Sequence, residues 1–308
     1  MLQLPLRSMP SAEVLANTQR LLGAVWQPDY ARLSVRLLSA LPDTAGDVVV
    51  LGVAGAQGTG KSTLAAHLQA LVAALGGEAA VLSLDDLYLP LADRVALAAE
   101  VHPLLRTRGV PGTHDVGLGM SILSALSERP APQLSVAVGD HTIAMPRFDK
   151  GLDDRLPVSQ WRLQRWPVAL VIVEGWCLSM PPETAQALQS PVNQLEHDED
   201  ADGRWRGWVN AHLAADYQTF FARFDALVAL LPPDFEAVLR WRAAQELNLP
   251  AERRMHSAAL ARFIAHYERL TRQGLATWPQ QADWCVWLAP DHRIERITRR
   301  GSAGTALA

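Results

Sequence analysis

The chain has 308 residues and 33.6 kDa, with 49% apolar and 19% charged residues and mean hydropathy near zero, enough to bury a core and too apolar for an unfolded chain. A formal net charge of −4 and a pI near 6.1 supply no basic field for sequence-independent phosphate-backbone binding, so nucleic acid is not expected as a partner. No cationic start leads into an apolar stretch and no apolar run is long enough to span a bilayer, so a cytoplasmic protein with no membrane partner is expected, its Cys177 and Cys285 reduced.

In chain order, Ser11 to Leu41 carries apolar positions at helical spacing (Val14, Leu15, Leu21, Leu22, then Leu33, Leu37, Leu41), broken at Pro28 and ended by Pro42. Asp47 to Val53 is then a continuous β-branched run, the pattern of a strand covered on both faces. Similar short runs recur at Ala79–Leu84, Val168–Val173, Ala226–Leu231 and Trp284–Leu288, with helix-compatible stretches between several of them. This alternation predicts an α/β fold with a parallel sheet and right-handed crossovers. Leu134–Met145 alternates like a surface hairpin turning at Gly139-Asp140. Helices are expected over Gly207–Arg223, Phe235–Leu247 and about Ser257 to Arg272, after an acidic loop at 196–203.

Between the first strand and the helical stretch after it lies Gly55-Ala56-Gln57-Gly58-Thr59-Gly60-Lys61-Ser62, followed by Thr63, which fits G-x-x-x-x-G-K-[ST]. Glycines let the backbone turn and present successive N–H groups to phosphate oxygens, while the positive end of the next helix faces the same charge. Lys61 is placed to reach the β- and γ-phosphates, and the Ser62 hydroxyl suits Mg²⁺, a hard cation that prefers oxygen. ATP with Mg²⁺ is the expected cofactor pair. The cradle serves motors, switches and kinases alike, so it does not by itself assign a reaction.

In open α/β sheets the chemistry gathers at the carboxyl ends of the strands. Asp85 and Asp86 follow the run ending at Leu84, and Glu174 follows the run ending at Val173. A carboxylate near the γ-phosphate can take the proton of an attacking hydroxyl or hold Mg²⁺ and its waters. Asp85 is assigned as base and Glu174 as metal ligand, with either able to serve both roles. Asp86 also fits a turn cap.

The surrounding blocks resemble the kinase group of uridine kinase, pantothenate kinase and phosphoribulokinase, and in particular plant and fungal D-glycerate 3-kinase. Ser83-Leu84-Asp85-Asp86-Leu87-Tyr88 resembles S-x-D-D-F-Y, Arg108 to Asp115 resembles R-G-x-P-G-T-H-D, and Pro146 to Lys150 resembles P-x-Y-D-K. Val173-Glu174-Gly175-Trp176 resembles F-E-G-W, and Leu239 to Glu246 resembles Y-R-W-R-L-Q-A-E. The blocks run in family order over about residues 47 to 290. The resemblance implies catalytic roles for Lys61, Asp85 and Glu174, and a metal site of Ser62, Asp85 and Glu174. It implies an acceptor pocket among Asp86, Tyr88, His114, Asp115, Asp149 and Lys150, and phosphate contacts from Arg240 and Arg242 on a lid. Arg147, with Lys150 and Arg155, would place positive charge beside a carboxylate acceptor. Arg240 and Arg242 point to nearly opposite sides of their helix, so only one of the two is expected to reach phosphate, and Arg242 can pair with Glu246.

This sequence departs from the family in having Phe148 where Tyr is usual, Leu87 for Phe, and a short stretch after Lys150. The expected organisation is an N-terminal helical extension (1–46) and a P-loop kinase domain (47–308) with a helical lid or insertion over about 183–250. The expected activity is ATP- and Mg²⁺-dependent phosphorylation of a small-molecule hydroxyl, D-glycerate to 3-phosphoglycerate, with a nucleoside or pantothenate-type kinase as alternative. A P-loop switch or chaperone ATPase is the alternative from another class, although no N-K-x-D for guanine occurs. Asp198 to Gly203 begins like a calcium loop but has Val209 where a bidentate Glu is required, which leaves an exposed acidic loop. No zinc motif is found.

Overall fold

The computed structural model describes residues 3–128, 141–247, 254–301 and 305–306. Two helices come first, α1 (Ala12–Leu22) and α2 (Pro28–Ala40), with Pro28 at the opening of α2, where its fixed φ and missing N–H cost nothing. The core alternation begins with β1 (Val49–Gly55), α3 (Lys61–Ala74) and β2 (Ala79–Ser83), then α4 (Leu91–Glu100) and α5 (Val116–Ser127). Four short strands follow: β3 (Thr142–Met145), β4 (Phe148–Asp149), β5 (Asp154–Arg155) and β6 (Arg162–Arg165). Next come β7 (Leu170–Gly175), α6 (Gln194–Glu199), α7 (Arg204–Ala214), α8 (Asp216–Phe221) and β8 (Ala226–Leu231). The chain ends with α9 (Phe235–Leu247), α10 (Ser257–Gln281), β9 (Trp284–Leu288), β10 (Ile294–Arg299) and β11 (Thr305–Ala306).

Seven strands form one sheet in the order β11-β10-β9-β8-β1-β7-β2, with β9 through β2 parallel and β10 and β11 antiparallel at one edge. The phosphate-cradle strand β1 is thus central, between β7 and β8. Its side chains alternate between two cores as a strand's period of two requires. Val49, Leu51 and Val53 pack with α2 and α3, while Val50 and Ala54 pack on the opposite face with residues of α5, α8 and α10. Helix α2 is an integral layer. Leu33, Leu37 and Leu38 are at most 1% exposed in the same cluster as β1 and α3, and each such burial contributes roughly 1.5–3 kcal/mol.

The strands lie within two residues of the expected runs. The last helix continues past the expected Arg272 to Gln281, with Pro279 in its final turn. The single helix expected over Gly207–Arg223 is two, because the chain breaks at Ala215 (φ −100°, ψ −105°). Of the expected hairpin at Leu134–Met145, residues 134–140 lie outside the described residues, and Thr142–Met145 pairs with Arg162–Arg165. Within the stretch expected as the lid, Ala226–Leu231 is β8, a buried strand beside β1.

The acidic stretch at 196–203 is exposed at His197, Asp198, Glu199, Ala201 and Asp202, as expected, but it starts within α6 and two of its acids turn inward. Glu196 and Asp200 are buried: Arg269 of α10 bonds both oxygens of Glu196 at 2.6 and 2.8 Å, and Arg206 meets Asp200 at 2.8 Å. Asp200 also accepts the Trp205 and Arg206 backbone N–H groups, capping α7. Buried carboxylates persist when paired and hydrogen-bonded, and here Arg269 fastens the segment between β7 and α7 to α10 while Arg206 ties Asp200 to α7.

Candidate functional site

The strand register sets the site. Ser83 and Val53 both lie opposite Glu174, so the carboxyl ends of β2, β7 and β1 reach one level, with the cradle loop directly after β1. Two of its glycines are required by the space they occupy. At Gly55 (φ +152°) a Cβ would stand 2.7 Å from the Leu230 carbonyl oxygen, and at Gly60 (φ +88°) it would stand 2.2 Å from the Tyr30 hydroxyl. Thr59 donates to the Ala56 carbonyl (2.8 Å), and the Lys61 ammonium donates to the same oxygen (3.0 Å) across the loop. Ser62 is exposed and Thr63 half-buried in the first turn of α3, whose free N–H groups face the loop.

Three elements outside the motif brace this loop. The Tyr30 hydroxyl of α2 donates to the Thr59 carbonyl (3.3 Å), and burial, with Asp29 adding to it, pushes its pKa up to about 12. Trp241 of α9 packs on Gly58, and His292 stacks on Trp241 (4.0 Å between ring centres) with its Nε2 3.1 Å from the Gly58 carbonyl oxygen. On the remaining side Gln57 approaches Tyr267 of α10, whose hydroxyl donates to the Arg108 carbonyl (2.8 Å).

Asp85 sits in a helical turn, Leu84–Leu87, that leaves the end of β2. Its Oδ1 accepts the Tyr88 hydroxyl (2.6 Å) and its Oδ2 the Lys150 ammonium (2.6 Å). Burial would raise the Asp85 carboxyl, but Lys150, the Tyr88 hydrogen bond and Lys61 outweigh it and hold the group below the usual carboxylate range. Glu174, at the end of β7 and 7% exposed, accepts from Ser62 (3.1 Å) and Ser83 (2.8 Å) through Oε1. Burial pulls the Lys61 ammonium below its usual pKa, with Glu174 and Asp85 opposing that effect. Ser62 and Glu174 are in contact, and with Asp85 on the neighbouring strand end they offer only oxygen, the donor type that Mg²⁺ prefers. Among the described residues no cluster of three or more His, Cys, Asp or Glu forms a protein metal cage.

The remaining expected site residues divide by what they touch. Asp86 accepts the Phe148 backbone N–H (3.1 Å), tying the Asp85 turn to β4, and burial raises its carboxyl. Asp115 caps α5 through the Leu118 N–H (2.9 Å) and pairs with Arg155 (3.0 Å). Arg155 also donates to the Tyr88 carbonyl (2.9 Å); only 14% exposed, it clamps the two loops together rather than standing free for an acceptor. Asp149 closes the turn to Gly151 and Leu152, Lys150 is 61% exposed, and the Arg147 side chain is exposed. His114 lies flat on Tyr88 (4.9 Å) and is buried. Phe148 packs its ring against the Tyr88 edge, with the Arg94 and Arg108 guanidiniums 5.8 and 5.5 Å from its centre.

Arg240 and Arg242 are paired with Asp234 (3.8 Å) and Glu246 (2.6 Å). The face of α9 that meets Gly58 carries Trp241 and Gln245, one helical turn apart, so the flanking arginines turn aside. The sequence reading missed Tyr30, Trp241, Tyr267 and His292 around the cradle. Only Trp241, inside a recognised block, carried a signal.

The family described as Methylmalonyl Co-A mutase-associated GTPase MeaB matches residues 21–88, under a quarter of the chain and the part that carries the phosphate cradle. "Uncharacterized kinase mug58" of Schizosaccharomyces pombe is 33% identical over 76% of this chain and 83% of that protein. "D-glycerate 3-kinase, chloroplastic" of Arabidopsis thaliana is 30% identical over 65% of this chain, but only 41% of that longer protein is spanned. Among solved structures, D-glycerate 3-kinase of Cryptococcus neoformans superposes with a TM-score of 0.67 over 94% of this chain and all of that one, at 23% identity, a likeness of fold. No helix among the described residues is long and apolar enough to cross a membrane.

Proposed function

Because the chain belongs to the family of P-loop kinases that includes D-glycerate 3-kinase, we propose that it transfers the γ-phosphoryl group of ATP to a hydroxyl of a small hydroxy acid, D-glycerate to 3-phosphoglycerate. The observation that carries this reading is the Asp85 carboxylate, ionised by its surroundings, held beside Lys61 and bonded to an exposed ammonium, Lys150. A carboxylate to receive a hydroxyl proton and a cation to receive an acid group are the two features such an acceptor needs.

The phosphate oxygens would be held by the loop N–H groups, the N-terminus of α3 and Lys61, which leaves the Ala56 carbonyl to reach them. Ser62, with Glu174 and Asp85, would hold Mg²⁺, which supplies charge neutralisation on those oxygens when bound. Asp85 orients the acceptor hydroxyl in line with the phosphorus and takes its proton late in transfer. Tyr88 holds the other oxygen of Asp85 and so fixes which lone pair faces the acceptor. Lys150, exposed at the rim, turns from Asp85 to the acceptor carboxylate as the acceptor enters.

A pH experiment tests the Lys150–Asp85 link. Asp85 is active as the anion, so kcat falls as pH drops through its pKa. Lys150→Met leaves burial to act with less opposition, which moves the acid limb of the kcat profile to higher pH. A limb unmoved between the two proteins overturns the link.

The acceptor itself is tested by ADP release from MgATP with D-glycerate, L-glycerate, uridine, pantothenate or no acceptor. Stimulation by D-glycerate alone is the expected result. Stimulation by another acceptor keeps a kinase and replaces the substrate, while acceptor-independent turnover favours a nucleotide-driven switch.

A further inference from the structure

Helix α8 carries a residue that no sequence block marks and that reaches the site from behind. Tyr217 is 1% exposed, and its hydroxyl lies 2.6 Å from His114 Nδ1 and accepts the Gly112 backbone N–H at 3.0 Å. The protons on this triangle can be assigned by counting donors and acceptors. Gly112 N–H is a donor and occupies one lone pair of the phenol oxygen. The phenol O–H then needs an acceptor, and the one beside it is Nδ1. His114 therefore carries its proton on Nε2.

That Nε2 atom is buried and has no hydrogen-bond partner. A buried donor left unmade costs roughly 1–3 kcal/mol, so this atom calls for a partner, and an oxygen of a bound molecule is one that would supply it. The ring is 5% exposed, lies face to face with Tyr88, and Tyr88 holds Asp85. Burial pushes the His114 pKa down to about 3, with Asp85 opposing, so the ring is neutral and its tautomer, rather than its charge, is what the surroundings can set.

We propose that Tyr217 is a positioning residue that locks His114 in the Nε2–H tautomer, so that the unpartnered Nε2–H donates to an oxygen of the bound acceptor. With Nδ1–H instead, the same ring would present a lone pair to that oxygen and repel it. The inference rests on the small-acceptor kinase reading above, and it names the class of group recognised: a hydrogen-bond-accepting oxygen, of a carboxylate or a hydroxyl, and not a donor such as an amide N–H.

The test combines a spectrum with a kinetic split on the full chain. Long-range ¹H–¹⁵N correlation spectra of ¹⁵N-histidine-labelled protein, with His114 assigned by its loss in His114→Gln, read the tautomer without any substrate. The expected result is Nε2–H in the parent and a mixture in Tyr217→Phe, which keeps the packed ring and removes only the hydroxyl. The acceptor KM of Tyr217→Phe is expected to rise about tenfold, the loss of one hydrogen bond, with the MgATP KM close to the parent value and the Tm lower, because the Gly112 N–H loses its acceptor. In a His114→Gln background, whose amide N–H does not depend on a tautomer, Tyr217→Phe is expected to change acceptor KM by less than about twofold.

An Nδ1–H parent, an unchanged tautomer and KM in Tyr217→Phe, or equal rises in both KM values overturn the proposal, the last indicating a purely structural role. If D-glycerate is not phosphorylated, the substrate reading fails separately. The KM comparison then uses whichever acceptor drives ADP release, and the substrate-free spectrum decides alone if none does.

Discussion

Asp85→Asn is expected to lower kcat by about 10³-fold while nucleotide affinity stays within a few-fold of the parent, because proton acceptance by a positioned carboxylate contributes roughly 10²–10⁴-fold. The substitution is close to isosteric. Asn Oδ1 can still accept the Tyr88 hydroxyl, so the turn at Leu84–Leu87 keeps its geometry, and the change falls on the oxygen that now meets Lys150. The neighbouring Asp86 supplies an internal control. Its role is to accept the Phe148 N–H, which an amide oxygen also does, so Asp86→Asn is expected to cost less than about tenfold in kcat. Single-turnover transfer from MgATP, with a fluorescent-nucleotide titration for affinity, separates the two variants. A larger loss at Asp86 than at Asp85 would exchange their assigned roles.

The contrast between these adjacent aspartates shows where sequence was sufficient. The cradle, Asp85 and Glu174 were legible because each follows an apolar run directly, and a parallel sheet brings such strand ends to one edge whatever the loops between them do. Asp86 is ambiguous in sequence because a turn cap and a substrate ligand ask for the same residue type. The partner it has in the fold, the Phe148 N–H, lies 62 residues away and is not visible locally. The same applies to the acidic stretch before α7. Read locally, Asp200 is one acid among several in a polar run, yet its ion pair with Arg206 is buried and Glu196 owes its burial to Arg269, 73 residues on. Helical periodicity placed Arg240 and Arg242 on different sides of α9 and anticipated the Arg242–Glu246 pair. It could not reveal that the residue between them, Trp241, is the one that meets the cradle, since that depends on how α9 leans across β1 and on His292 from the β9–β10 turn. Tyr217 is the extreme case: α8 approaches His114 across 103 residues of chain.

Lys61→Met is expected to reduce kcat/KM for MgATP by about 10³-fold, with both terms affected, since the ammonium opposes charge in bound ATP and more strongly in the transferring phosphoryl group. The structure supplies the reason the loss cannot be made good from nearby. Lys150 is the other lysine close to Asp85, but it is exposed at the acceptor side and bonded to Asp85, whereas Lys61 crosses the loop to the Ala56 carbonyl inside the cradle. Burial weakens the hold of Lys61 on its proton while Glu174 and Asp85 strengthen it. Replacing it by Met removes a favourable charge from both carboxylates, so Asp85 titrates higher and the acid limb of the remaining activity moves up in pH, in the same direction as for Lys150→Met. Nucleotide binding distinguishes the two: Lys150→Met keeps MgATP affinity near the parent value, and Lys61→Met does not. Titration of a fluorescent ATP analogue against both variants reads this directly. If Lys61→Met bound MgATP within about tenfold and retained kcat, the γ-phosphate would have to be held by the loop N–H groups and the α3 terminus without a side-chain cation, and the assignment of Lys61 to catalysis would fail.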